Sequence, residues 1–335
     1  MRVRDLGEFG LIERLSAYLR RRLPPSPAIA LGIGDDAALW HPTPGWISVL
    51  STDSMIEGVH FTKQTTPWHD LGWKSLAVNV SDLAAMAAEP RFALITLALT
   101  GEEEVAEIDA LYEGIADCAI LHNIHIIGGD TVRAPQVQVG FAVTGEVRAI
   151  GSEAAVLRRA AAKPGDLLVI TGHPGDAAAG LAVLRSAEAG FPTLVAAHRR
   201  PLPCVREAAW LYDQGVRCAT DSSDGLRREV ELLCVASGVD AWIDAERLPL
   251  SPALLTAFPR RAAQLALYGG EDYDLVMAVS AARFPAIEAA WTNLFAAPFT
   301  AVGAFVEAAG DSAAVQVHGY QGDAVEFEHF VQPAS

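Results

Sequence analysis

Five short stretches of the chain set aspartate beside glycine, serine or threonine: GIGDDAA (residues 32–38), STDSMIEGVHF (51–61), VNVSDLAAM (78–86), GGDT (128–131) and TDSSDGL (220–226). Carboxylates and hydroxyls are the oxygen donors that hard cations take, and Mg²⁺ with phosphate is the usual reason to gather them. One such motif alone reads as a turn; five in one chain are hard to explain by turns. Asp35 and Asp36 are adjacent carboxylates, which repel unless a cation lies near. The chain has no G-x-x-x-x-G-K-[ST], no GxSxG, no HRD or DFG set, and no GxGxxG opening a helix after a strand. An acid cluster with hydroxyls, glycine turns and arginines at positions 133 and 159, but no obvious nucleophile, fits phosphoryl transfer by positioning and charge neutralisation.

These residues need elements to hold them. Apolar residues at three- and four-residue steps predict helices over 8–20, 70–89, 102–121, 177–188, 202–214 and 226–237. The helix over 70–89 turns Asp82 away from its main apolar stripe. Strands are predicted over 46–50, ending at Ser51-Thr52-Asp53, and over 91–100, 124–127, ending at Gly128, and 137–147. Further strands fall at 167–171, 217–220, 239–243 and 273–279. The turn Pro164-Gly165-Asp166 suggests a boundary, giving an N-terminal domain over 1–150 and a C-terminal domain over 151–335. The glycine turn at 172–176 could cradle a phosphate, although Asp176 as an ordinary N-cap is the simpler reading. At 221–225 two carboxylates and a hydroxyl meet a helix start; capping accounts for one of the carboxylates.

A chain of 335 residues with net charge −16 and 51% hydrophobic residues is globular, with room for roughly two domains. It has no polybasic run, which argues against nucleic acid or anionic membrane as a partner. Cys118, Cys204, Cys218 and Cys234 form no CxxC pair and no zinc spacing, so they read as small core residues. The N-terminus lacks the apolar core of a signal peptide, and no uncharged apolar run approaches the roughly 20 residues of a membrane span. The expectation is a soluble, cytoplasmic protein.

The ordered set of motifs resembles the thiamine-monophosphate kinases, in the superfamily of aminoimidazole-ribonucleotide synthetase and selenophosphate synthetase. The resemblance runs over nearly the whole chain, through GEFGLIERL, GIGDDAA, STDSMIEGVHF, WKSLAVNVSDLAAMAAEP, IIGGDTVR, KPGDLLVITG with PGDAAAGL, TDSSDGL and GGEDYDL. It implies an α/β (α+β) fold of two mixed domains, the N-terminal one carrying most metal ligands and forming a homodimer. It also implies ATP-dependent, Mg²⁺-dependent phosphorylation of thiamine monophosphate to thiamine diphosphate by direct in-line transfer.

Residue by residue, the resemblance assigns Asp36, Ser51, Thr52, Asp53, Asp82, Asp130, Asp221 and Asp224 to several Mg²⁺ ions. Tyr112, Gly129, Asp130, Arg159 and Ser223 are assigned to ATP, and His60, Glu271 and Phe327 to the thiamine substrate, with Tyr320 the rival to Phe327. In the family the last aromatic sits in a Gly-aromatic-x-His-Phe ending, whereas this chain has Glu326-Phe327-Glu328-His329-Phe330; Ser222 stands where an aliphatic residue is usual. The other readings are a different ATP-dependent member of the superfamily, and a phosphate-binding relative that has lost activity. Loss of metal-site aspartates would favour the latter, and none is lost.

Overall fold

The computed structural model describes residues 1–151, 153–186, 190–310 and 313–322. The chain divides into two compact units, one of Met1–Leu83 with Ala88–Ala155, the other of Ala84–Ala87 with the chain from Val156 onward.

The first unit runs α1 (Val3–Arg22), β1 (Ile29–Leu31), β2 (Leu39–Trp40), β3 (Trp46–Ile56), α2 (Trp68–Ala85), β4 (Glu89–Leu99), α3 (Val105–Leu121), β5 (His125–Arg133), β6 (Gln138–Ile150) and β7 (Glu153–Ala154). Strands order as β3-β6-β4-β5, with β7 on β6. β6 pairs antiparallel with both β3 and β4, while β4 and β5 run parallel through the α3 crossover. Alternation along these strands makes two unlike faces. Met55, Ile95, Leu97, Phe141 and Val143 are buried; Leu50, Thr52, Leu94, Thr96 and Ala142 are exposed. Between α2 and α3 the backbones nearly touch at two glycines. A Cβ on Gly72 would sit 1.9 Å from the Leu111 carbonyl oxygen, and one on Gly114 1.9 Å from that of His69.

Two predicted strand ends are corrected here. β3 does not stop before Ser51 but continues to Ile56, because every residue from Trp46 on has a partner on β6. β5 does not stop at Gly128; it carries the whole GGDTVR stretch, pairing Gly128 to Arg133 with β4. Gly129 therefore serves close strand approach rather than a turn: a Cβ there would lie 2.3 Å from the Ile95 carbonyl oxygen. α1 is longer than expected and breaks at Gly7 (φ 76), and α3 starts at Val105 rather than 102.

The second unit contains β8 (Asp166–Thr171), α4 (Asp176–Arg185), α5 (Pro192–Arg199), α6 (Val205–Asp213), β9 (Cys218–Asp221), α7 (Leu226–Ser237), β10 (Val239–Asp244), α8 (Pro252–Ala257), α9 (Ala262–Tyr268), β11 (Leu275–Ser280), α10 (Phe284–Leu294), β12 (Phe299–Glu307) and β13 (Val315–His318). Its strands order as β13-β10-β12-β8-β11-β9, all antiparallel except β10 with β13. Both faces are packed. Val276 and Ala278 of β11 join Leu226, Val230 and Leu233 of α7, whereas Leu275, Met277 and Val279 join Leu211 of α6 and Ile287 and Trp291 of α10. A strand buried on both sides reads as an unbroken apolar run, as 275–279 does. Among the described residues no helix is long and apolar enough to cross a membrane.

Candidate active site

In the first unit the Ser51 hydroxyl of β3 donates to Asp82 Oδ2 of α2 at 2.5 Å. Asp82 thus points at the strand that carries Asp53. Because β3 continues through the motif, Ser51 and Asp53 share a face and Thr52 takes the other, where its hydroxyl donates to the Phe141 carbonyl at 2.8 Å. Asp35 and Asp36 lie exposed in the 32–38 turn, the Asp36 N–H donating to Asp35 Oδ1 at 2.8 Å. His60 sits in the 57–61 turn, its Nδ1 accepting from the Ile56 N–H at 3.1 Å. Tyr112, Gly129 and Asp130 line one cavity of about 70 Å³ together with Leu15, Ile33 and Ile95. Tyr112 is 6% exposed, and burial pushes its phenol above the ordinary range.

The second unit brings two distant motifs together. The Ser222 N–H donates to the Asp274 carbonyl, the Tyr273 N–H to the Ser222 carbonyl and the Glu271 N–H to the Ser223 carbonyl, each at 2.8 Å. Gly270 permits this lacing, since a Cβ there would fall 2.3 Å from the Ser223 carbonyl oxygen. Asp221, Ser223, Asp224 and Glu271 are thereby gathered. Arg159 Nε donates to the Thr220 hydroxyl at 3.2 Å, next to Asp221. Tyr320 packs its ring 5.8 Å from that of Tyr268, just before Gly269. Phe327 lies outside the described residues.

Neither aspartate of the 221–225 stretch caps α7, correcting the expectation that capping accounts for one. The N-cap is Gly225, without a side-chain bond. Glu229, 1% exposed, instead accepts from the Asp224 N–H at 3.1 Å and the Ser223 hydroxyl at 3.3 Å. Burial raises the Glu229 carboxyl to about 7; the Asp224 N–H opposes, and the charges of Asp221 and Asp224 add to the rise.

The N-cap reading of Asp176 is likewise corrected. The cap is Gly175, and the amides there are taken by Asp272, which accepts from Gly175 at 2.7 Å and Ala177 at 3.0 Å. A carboxylate from the chain fills the place where a phosphate could have docked. Desolvation raises Asp272 to about 7 against the pull of those two N–H groups. Asp176 accepts from the Ser251 hydroxyl at 2.6 Å.

Sequence reasoning missed Glu229, Asp272 and His198. Glu229 left a weak signal, an acid in the first turns of a helix. His198 left none: its Nδ1 lies 3.2 Å from Glu271 Oε2, across a long sequence separation.

Among the described residues no three His, Cys, Asp or Glu side chains converge as a ready-made metal centre. The donors nonetheless suit a hard cation, being oxygens throughout. Two buried oxygens beside the predicted ligands, Asn79 Oδ1 near Asp82 and Ser222 Oγ near Asp221, have no hydrogen-bond partner among the described residues.

The class follows from comparison with known proteins. Residues 34–147 match the family model described as AIR synthase related protein, N-terminal domain. Thiamine-monophosphate kinase of Escherichia coli strain K12 is 37% identical over 303 residues, covering 89% of this chain and 90% of the relative. The chain belongs to the thiamine-monophosphate kinase family. The crystal structure of the kinase from Stenotrophomonas maltophilia K279a superposes with a TM-score of 0.81 at 35% identity, covering 97% of this chain and 99% of that one. A structure of AaThiL complexed with AMPPCP and TMP gives 0.75 at 29% identity, covering 98% and 99%.

Proposed function

We propose that this kinase transfers the γ-phosphoryl group of ATP to thiamine monophosphate, giving thiamine diphosphate and ADP for thiamine diphosphate biosynthesis. The observation that carries the reading is the lacing of residues 222–223 to 271–274, which gathers Asp221, Ser223, Asp224 and Glu271. Each of these was assigned to metal, ATP or substrate by the family's motifs. The relative of similar fold complexed with AMPPCP and TMP supports the pairing of a nucleotide with that acceptor.

The acceptor is a phosphate monoester with a second pKa near 6, already anionic at neutral pH. It supplies its own attacking oxygen and needs no general base. That oxygen bonds to the γ-phosphorus as the bond to the β-phosphate oxygen breaks, and ADP leaves with the electron pair. We assign Mg²⁺ to Asp36, Ser51, Asp53, Asp82 and Asp130 in the first unit and to Asp221 and Asp224 in the second. The Thr52 side chain is left out because it faces away from Ser51 and Asp53. Bound Mg²⁺ supplies the charge neutralisation that two polyanions require. Tyr112, Gly129, Asp130, Arg159 and Ser223 serve ATP; His60 and Glu271 serve the thiamine substrate, and Tyr320, packed on Tyr268 just before Gly269, is the C-terminal aromatic candidate among the described residues.

A homodimer built on the first unit is supported by the uncovered face of its sheet, where Leu50 is 73% and Leu94 43% exposed. We place the enzyme in the cytoplasm, consistent with four buried free cysteines. The test is to incubate purified protein with Mg-ATP and thiamine monophosphate, with and without EDTA. Thiamine diphosphate should form only when the metal is present. Turnover in metal-free buffer, or none with this acceptor but activity with aminoimidazole-ribonucleotide synthetase substrates, would overturn the reading.

A further inference from the structure

Two helices of the second unit bracket the 269–274 loop. α4 receives Asp272 at its N-terminus. α5 presents His198, 1% exposed, whose Nδ1 lies 3.2 Å from Glu271 Oε2. The helices are locked together at Gly180, where a Cβ would fall 2.0 Å from the Leu194 carbonyl oxygen and 3.0 Å from His198 Cβ. His198 therefore has little freedom to move. Glu271 is held in an uncommon backbone conformation, φ 72, followed by Tyr273 at φ 56. A left-handed conformation is costly for a residue with a Cβ and persists when the surroundings over-determine it. Here the Glu271 N–H is fixed to the Ser223 carbonyl at 2.8 Å, and its carboxylate is fixed by a buried imidazole on a rigid helix pair.

We infer that His198 is a positioning residue for the acceptor site, aiming the Glu271 carboxylate at the cationic organic part of thiamine monophosphate. This rests on the reading of Glu271 as a substrate contact. The imidazole N–H orients one carboxylate oxygen of a side chain that is itself 25% exposed. A hydrogen bond from a fixed donor keeps the carboxylate in one rotamer, so less ordering is left to be done when the acceptor binds.

The experiment compares His198→Leu, His198→Asn and His198→Gln with Glu271→Gln and the double variant His198→Leu/Glu271→Gln. It reads kcat, both KM values and thermal melting on the full-length enzyme. Asn keeps an N–H close to the Nδ1 position; Gln moves it outward. With His198→Leu, KM for thiamine monophosphate should rise about tenfold, the scale of a lost hydrogen bond to a charged group, while KM for ATP stays nearly unchanged. His198→Asn should recover most of the loss and His198→Gln less. In the Glu271→Gln background, His198→Leu should add little. If His198→Leu does not fold, the Asn and Gln pair decides the matter. Equal shifts in both KM values, additive variants, or Asn no better than Gln would overturn the positioning role. If Glu271→Gln raises the acceptor KM and His198→Leu does not, only the positioning role falls; if Glu271→Gln leaves that KM unchanged, the substrate reading of Glu271 falls with it.

Discussion

β11 in the second unit gives Leu275, Met277 and Val279 to one core and Val276 and Ala278 to another. β4 in the first unit buries Ile95 and Leu97 but leaves Leu94 and Thr96 exposed. The first strand can rely on helices of its own unit to cover both faces; the second cannot. The predicted ligands follow the same division. Asp36, Asp53 and Asp130 stand exposed on the first unit; on the second Asp224 is exposed too, but Asp221 is buried at 4% exposure. Exposed carboxylates cost little to keep ionised without a cation. A buried one must be compensated, and Asp221 lies near Glu229, a carboxyl whose acidity is weakened by burial and by the charges of Asp221 and Asp224.

The comparison predicts that ligand loss in the first unit affects rate rather than fold. Asp53→Asn is nearly isosteric at an exposed position. Turnover to thiamine diphosphate should fall by about 10²–10³, a range typical when a group stabilising transition-state charge is lost, with the melting temperature unchanged. Wild-type turnover would remove Asp53 from the site. The opposite behaviour is expected from the two-faced core of the second unit. Trp291 is 1% exposed, stacks on Phe299 at 4.9 Å and donates to the Ala297 carbonyl at 2.6 Å. Trp291→Ala should cost about 3–5 kcal/mol in denaturant unfolding; a loss below about 1 kcal/mol would mean that this face repacks freely.

Asp272 gives a smaller, pH-dependent effect. Its folded pKa is about 7, raised from 3.8, so the folded state holds a proton that the unfolded chain has released over that interval. The contribution is fully favourable below pH 3.8 and is lost as pH rises toward 7, with no further loss above it. Asp272→Asn cannot titrate and also gives up one of the two N–H bonds at α4. The variant should therefore be less stable than wild type at pH 5, and the deficit should shrink by about 1–3 kcal/mol by pH 8. A deficit that stays constant between those pH values would show that Asp272 is ionised in the folded protein throughout.

The elements with the strongest patterns were legible before any coordinates. The apolar run within 273–279 announced a strand, and the steps of Leu76, Val80 and Leu83 announced α2. What could not be read was where strands pass through functional motifs. Gly128-Gly129 looks like a turn in sequence, yet it lies inside β5 because only glycine tolerates the Ile95 carbonyl so close. The family motifs nominated Asp221, Asp224 and Glu271, but no local pattern could announce His198, whose role depends on the α4–α5 contact. Asp176 failed as an N-cap because an acid distant in sequence, Asp272, took the amides first.

The smallest change in fold stability is expected on the uncovered face of the first sheet, and there it is most diagnostic. Leu50 is 73% exposed on β3, and in the register that face continues through Ala142 to Leu94. A charge at an exposed strand position costs the isolated unit little, within about 0.5 kcal/mol. The same charge placed within an apolar contact between two copies would lack a partner and oppose association strongly. Leu50→Glu should therefore melt as the wild type does at low protein concentration, yet halve the mass measured by sedimentation or light scattering. Leu294→Glu, on an exposed leucine of the second unit at 57%, should leave the mass unchanged. A wild type that is already monomeric, or a dimer that survives Leu50→Glu and Leu94→Glu together, would mean that this face is not covered by a second copy. The contrast between the two sheets would then need another cause.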